Sequence, residues 1–171
     1  IPTGSQTKTI DNIYLGVLPK RCIIGFVKTS AYNGSLNESP YKFEHFKLNF
    51  LAAYLDSIPI PSKPYVCDFP NKLYSRAYNS LFEGCNIDHQ DTGNKISREA
   101  YPEGYTLFAI DLTPDLSASA THLSLAKTGS LRLEVRFEEA LTSSITAIIY
   151  SEFAGLIEVD KNRNIFTDFS S

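Results

Sequence analysis

The clearest pattern in the chain is strict alternation at Leu131-Arg132-Leu133-Glu134-Val135-Arg136-Phe137-Glu138, where each odd residue is apolar and each even one charged. A period of two puts successive side chains on opposite faces. This segment therefore predicts a strand with one face on a core and the other in a polar setting, the habit of antiparallel sheets. Segments 21–28, 47–56, 105–112 and 145–153 read as strands covered on both faces, and weaker signals mark 8–14, 156–160 and 164–168. Thr142-Ser143-Ser144, Ala154-Gly155 and Asp160-Lys161-Asn162-Arg163-Asn164 supply turn chemistry between the last strands, which predicts a meander or a Greek key.

One stretch changes period. Phe69, Leu73, Ala77 and Leu81, with Tyr74, Tyr78 and Phe82 one step round, recur at helical spacing and predict a helix over residues 69–83, inserted in a loop of an all-β domain. Asp68 is its expected N-cap, Pro70 sits in its first turn, and Gly84 is the expected left-handed terminator. Its aromatic ladder reads as core rather than as a base-stacking platform, because such platforms accompany basic grooves. Pro59, Pro61 and Pro64 withhold ladder donors, so their segment is an extended connector or a sheet edge.

Composition narrows the class. Of 171 residues, 43% are hydrophobic and 20% charged, and 16 Lys+Arg against 19 Asp+Glu leave a net charge of −3. That balance excludes a disordered chain and gives no bulk attraction to nucleic acid or anionic lipid. The 10 Tyr and 11 Phe suit a pleated, half-buried surface. The lack of Met leads us to expect a fragment or processed product of a longer polypeptide. No apolar run approaches the roughly 20 residues of a spanning helix, so a soluble piece without a membrane span is expected.

Candidate chemistry is sparse. Cys22, Cys67 and Cys85 form no CxxC pair and read as ordinary thiols, with a Cys67–Cys85 bridge left open. His45, His89 and His122 lie far apart. Cys85-Asn86-Ile87-Asp88-His89, with Asp91, is the single local group of metal-capable side chains, and it reads equally as a polar loop, since a tetrahedral site needs three or four converging ligands. There is no GxSxG elbow and no glycine-rich phosphate loop; Glu138-Glu139 reads as a solvated pair, and Lys20-Arg21 and Lys161-Asn162-Arg163 as turn or rim residues. No catalytic, cofactor-binding or metal-ligating residue is assigned, no cofactor is expected, and the chain is not expected to be an enzyme.

Across residues 18–169 the chain resembles the C-terminal jelly-roll region of the double jelly-roll major capsid protein of Polinton (Maverick) elements and related adintoviruses. The residues carrying the resemblance are Leu18-Pro19-Lys20-Arg21, Ala31-Tyr32-Asn33-Gly34-Ser35, Asn49-Phe50 and Pro61-Ser62-Lys63-Pro64, then the stretch from Ser97-Arg98-Glu99 through Tyr105-Thr106-Leu107-Phe108 to Thr113-Pro114-Asp115. Leu131-Arg132-Leu133-Glu134-Val135-Arg136-Phe137 and Ile157-Glu158-Val159-Asp160-Lys161-Asn162-Arg163-Asn164 complete the set. The resemblance implies an antiparallel jelly-roll sandwich over residues 1–171, one roll of a two-roll subunit. It also implies self-association into homotrimers and a capsid lattice, with no specific nucleic acid partner. The location it implies is the virion, with assembly in the cytoplasm or nucleus of a host cell. Asp56-Ser57-Ile58-Pro59 departs from the pattern where a glycine-bearing hairpin turn is expected, and residues 85–95 are individual to this chain. The alternative functions are a lectin-like or other ligand-binding sandwich, for which Tyr101 to Tyr105 would offer the exposed aromatic, including a host-domesticated copy, and a cupin-type metal enzyme, which the scattered histidines disfavour.

Overall fold

A computed structural model describes residues 1–88, 91–119, 124–125 and 127–168. Among these, the strands are β1 (Thr7–Val17), β2 (Arg21–Lys28), β3 (Leu48–Leu55), β4 (Ile58–Val66), β5 (Leu107–Asp111), β6 (Thr128–Phe137), β7 (Ile145–Glu152), β8 (Leu156–Val159) and β9 (Ile165–Asp168). One sheet has the order β1-β6-β3-β4, a second β5-β2-β7, and β8 and β9 pair with each other. Every strand pairing is antiparallel. The chain changes sheet between β1 and β2, β2 and β3, β4 and β5, β5 and β6, and β6 and β7. This is the interlocked Greek-key path of a jelly roll, which settles the choice between meander and Greek key in favour of the latter.

Alternation places the core. In β6, Leu131, Leu133, Val135 and Phe137 are buried, while Arg132 and Glu134 are half-buried and Arg136 is exposed. Opposite them stand Ile24 and Phe26 of β2 and Phe108 and Ile110 of β5. The rings of Phe26 and Phe137 meet edge to face, with centroids 6.2 Å apart, and join the two sheets. Each such buried ring contributes about 1.5–3 kcal/mol by leaving water. On the outer face, Arg132 lies over the Tyr54 ring and Arg136 over Phe50, at 4.4 and 4.6 Å. That pairing keeps the charged half of the alternation attached to the sheet.

The helix is shorter than the periodicity implies. It spans Ser75–Glu83 (α2), follows Tyr74, and has no side-chain cap. Asp68 instead closes a local turn, its carboxylate accepting the Asn71 amide at 3.0 Å and the Asn71 side-chain NH2 at 2.8 Å. Backbone bonds in both directions between Asp68 and Leu73 hold that turn, which contains Pro70. Leu73 is consequently 64% exposed rather than on the buried stripe. Gly84 is also not left-handed, with φ −66°; its role is steric, because a Cβ there would stand 2.7 Å from the Ala109 Cβ. Two short helical pieces carry no sequence signal of their own, α1 (Thr29–Tyr32) and a 3-10 turn at Tyr101–Glu103.

Three of the four edges of the sandwich carry a device against further pairing. The β4 edge holds Pro59, Pro61 and Pro64, as the edge reading of that segment expects, and its Lys63 and Pro64 carbonyls accept Arg76 of α2 at 2.5 and 2.7 Å. The β5 edge is covered by α2: the Ser80 hydroxyl accepts the Ala109 amide at 3.3 Å, and the Tyr65 hydroxyl donates to the Ala109 carbonyl at 3.4 Å. The β1 edge is bent by an irregularity between Ile10 and Tyr14, with Asn12 at φ 51°. The β7 edge has none of these.

Candidate functional site

The residues with chemical potential serve the fold. Cys22 and Cys67 are buried free thiols, and burial pushes them up to about 11 and about 12, so neither is a ready nucleophile. Cys85 is also free, so the structure contains no Cys67–Cys85 bridge. His45 stacks on Phe69 at 4.1 Å, and its Nδ1 accepts the Lys47 amide at 2.9 Å. Burial lowers its pKa. His89, of the candidate metal loop, and His122 lie outside the described residues. Among the described residues, no three His, Cys, Asp or Glu side chains converge on a point that could hold a metal ion. Glu138 and Glu139 are exposed, and Glu139 pairs with Lys47 at 2.8 Å.

The Tyr101 to Tyr105 platform is divided. Tyr101 is wholly buried, donates to the Leu107 carbonyl at 2.9 Å, and packs against Tyr74 and Tyr78. Tyr105 alone is exposed. The aromatic ladder of α2 thus forms core with Tyr101, and Arg98 lies over the Tyr74 ring at 5.8 Å. A groove of about 350 Å³ lies between β4, α2 and β5, lined by Pro61, Tyr65, Ser80 and Ala109 among others. Two of its polar side chains, Ser80 and Asp111, bond within the fold. The Ser80 hydroxyl donates to the Ala77 carbonyl at 2.6 Å, and the Asp111 carboxylate accepts the amides of Thr113 and Ala118 at 2.8 and 3.0 Å.

Lys20-Arg21 does not form a basic patch. Arg21 is 9% exposed, donates to the Ser119 hydroxyl and lies 3.6 Å from Glu152. Its position braces the loop after β5 against β7.

The surface that stands out is apolar. In the β8–β9 hairpin, Ile157 opposes Thr167 and Val159 opposes Ile165, so these four side chains share one face. Ile157, Val159 and Ile165 are 62%, 63% and 66% exposed. Asp160 holds the turn, accepting the amides of Asn162 and Asn164 at 2.7 and 2.8 Å and the Asn164 side chain at 2.8 Å. Those Asn164 bonds keep its carboxyl below the usual value. Phe153, at the base of the hairpin, packs edge to face on Tyr14 of β1 at 5.5 Å. A two-stranded hairpin is marginal alone in water, and this one leaves a β-branched face uncovered. Sequence reading placed both strands and the turn. It missed the arm's exposure, although the alternation of Ile157-Glu158-Val159 carries half of that signal.

No known family profile matches the chain, and no solved structure matches it. It is similar to a Caenorhabditis elegans protein described as uncharacterized protein F54H12.2, 25% identical over 175 aligned residues that take in 98% of this chain. The chain spans 41% of that protein's length. Among the described residues, no helix is long and apolar enough to cross a membrane.

Proposed function

We propose that the chain is a building block of a protein shell, a jelly-roll domain of a double jelly-roll capsid protein that acts through assembly rather than catalysis. The observation that carries this reading is the strand order, β1-β6-β3-β4 facing β5-β2-β7, combined with the apolar β8–β9 arm. A shell subunit needs stiff sheets, edges protected from indiscriminate pairing, and loops or arms that bring apolar area to a neighbour. The Phe26–Phe137 contact, the proline and helix devices at β4 and β5, and the arm supply these in turn. Contacts between subunits of an obligate assembly bury more than about 2,000 Å², so the arm acts alongside the neighbouring loops.

The test is assembly of the full polypeptide that contains this chain. Mass photometry followed by cryo-electron microscopy is expected to reveal trimers or closed particles. A persistent monomer at micromolar concentration, particularly one retaining glycans on an array, overturns the reading in favour of a ligand-binding sandwich.

A further inference from the structure

The β7 edge is unprotected, and its first rung is already occupied. The Ile1 nitrogen donates to the Ile145 carbonyl at 2.8 Å, and the Ile145 amide donates to the Ile1 carbonyl at 3.0 Å. This double exchange is the mark of an antiparallel hydrogen-bonded pair. On the other side of the strand, the Ser144 carbonyl accepts the Thr29 amide at 3.0 Å, and residues 145–152 pair with β2. Because backbone groups alternate sides along a strand, the amides and carbonyls of Ala147, Ile149 and Ser151 face away from β2, in line with the Ile145 rung. The segment Ile145-Thr146-Ala147-Ile148-Ile149-Tyr150-Ser151-Glu152 contains no proline, lysine or bulge to blunt this edge.

We infer that the β7 edge is an acceptor for one further strand, antiparallel to β7, formed by the polypeptide that joins Ile1 on its N-terminal side. The jelly roll has eight strands and the sandwich here has seven, the vacant place falling beside β7. The register is fixed by Ile1 opposite Ile145. The residue two before Ile1 would face Ala147, the fourth before would face Ile149 and the sixth before would face Ser151. Ile1 packs against the core, as do Ala147 and Ile149. The second and fourth positions are therefore apolar and the intervening ones polar or aromatic, beside Thr146, Ile148 and the exposed Tyr150. About eight residues, at ~3.3 Å each, cover the strand. The inference needs only the strand pairing and stands independently of the shell reading.

Amide hydrogen exchange resolved by NMR tests it, comparing the 171-residue chain with the natural polypeptide carrying the eight residues before Ile1. In the longer chain, the Ala147, Ile149 and Ser151 amides are expected to exchange at least ~10-fold more slowly, while Thr146, Ile148 and Tyr150, bonded to β2, report an unchanged fold. Ile1→Pro in the longer chain removes the first donor and is expected to return the three amides towards their faster rates. Equal rates in the two chains, protection that depends on concentration in the 171-residue chain, or a natural polypeptide that starts at Ile1 would each overturn the inference. The second of these outcomes would assign the edge to another copy of the chain.

Discussion

Asp56 and Ser130 bond each other twice: the Ser130 amide donates to the Asp56 carboxylate at 2.9 Å, and the Asp56 amide donates to the Ser130 carbonyl at 3.1 Å. The pair ties the β3–β4 turn to β6. That turn uses Asp56 and Ser57 at φ 47° and 74°, with no glycine, and the carboxylate bond offsets the strain that the conformation costs. Asp56→Ala is expected to lower stability by about 2 kcal/mol, combining a lost charged hydrogen bond with an unassisted positive φ. Asp56→Asn keeps an acceptor for the Ser130 amide and a residue suited to positive φ while losing the charge, and is expected to cost less than the alanine variant, about 1 kcal/mol or below. Urea denaturation of the two variants checks the difference.

Gly84→Ala opposes two effects. Alanine favours a helix end by up to about 1 kcal/mol, but its Cβ would stand 2.7 Å from the Ala109 Cβ and 2.8 Å from the Ser80 carbonyl oxygen. Both contacts lie at the cover of the β5 edge. Overpacking of this kind costs about 1–3 kcal/mol, so net destabilisation is expected. Equal or higher thermal stability would refute the steric role of this glycine.

The buried thiols set an alkaline limit. Burial raises Cys22 to about 11 and Cys67 to about 12 from an ordinary 9.0, so between these values the unfolded chain releases protons that the folded one keeps. Stability is fully present below pH 9 and falls as pH rises towards 11, by at most about 1.4 kcal/mol per pH unit for each thiol. Denaturation midpoints at pH 8 and pH 10.5 test this. Alkylation at pH 8 is expected to label Cys85 first, with Cys22 and Cys67 following only on unfolding.

In the proposed shell, the arm separates folding from assembly. Ile157→Lys with Val159→Lys places charge on a face already in water, so the sandwich is expected to keep its stability within about 0.5 kcal/mol per site. Association measured by sedimentation is expected to fall at least ~10-fold. A loss of monomer stability instead would mean that the arm packs on its own sandwich.

On the acid side, His45 is the group to watch. Burial against Phe69 lowers its pKa below the ordinary 6.5, so the unfolded chain takes up a proton before the folded one does. Its contribution is present above pH 6.5 and is lost as pH falls through the folded value. His45→Phe keeps the stack and is expected to flatten stability between pH 7 and pH 5, as followed by thermal melts.

What the sequence made legible was local. β2 coincides with its expected bounds because an apolar run ends at clear turn signals; strict alternation located β6 at 131–138, while the strand itself begins three residues earlier, at Thr128, and ends at Phe137. The start of the helix was misplaced because an Asx turn and an N-cap use the same chemistry, and Asp68 with Asn71 chose the turn. Sheet membership was hidden: β2 pairs with β7 across more than a hundred residues, and nothing in Cys22 or Ser151 announces the other. Tyr101 illustrates the same limit for the site. Its type suits an exposed platform, and only the fold places it against Tyr74 and Tyr78.

The uneven treatment of the sandwich rims also governs valency. With β1, β4 and β5 blunted, three rims of the sandwich resist indiscriminate pairing with the backbone of another copy. A single open rim admits one partner and is then saturated, which leaves geometry beyond that pairing to side-chain contacts such as those of Ile157 and Val159.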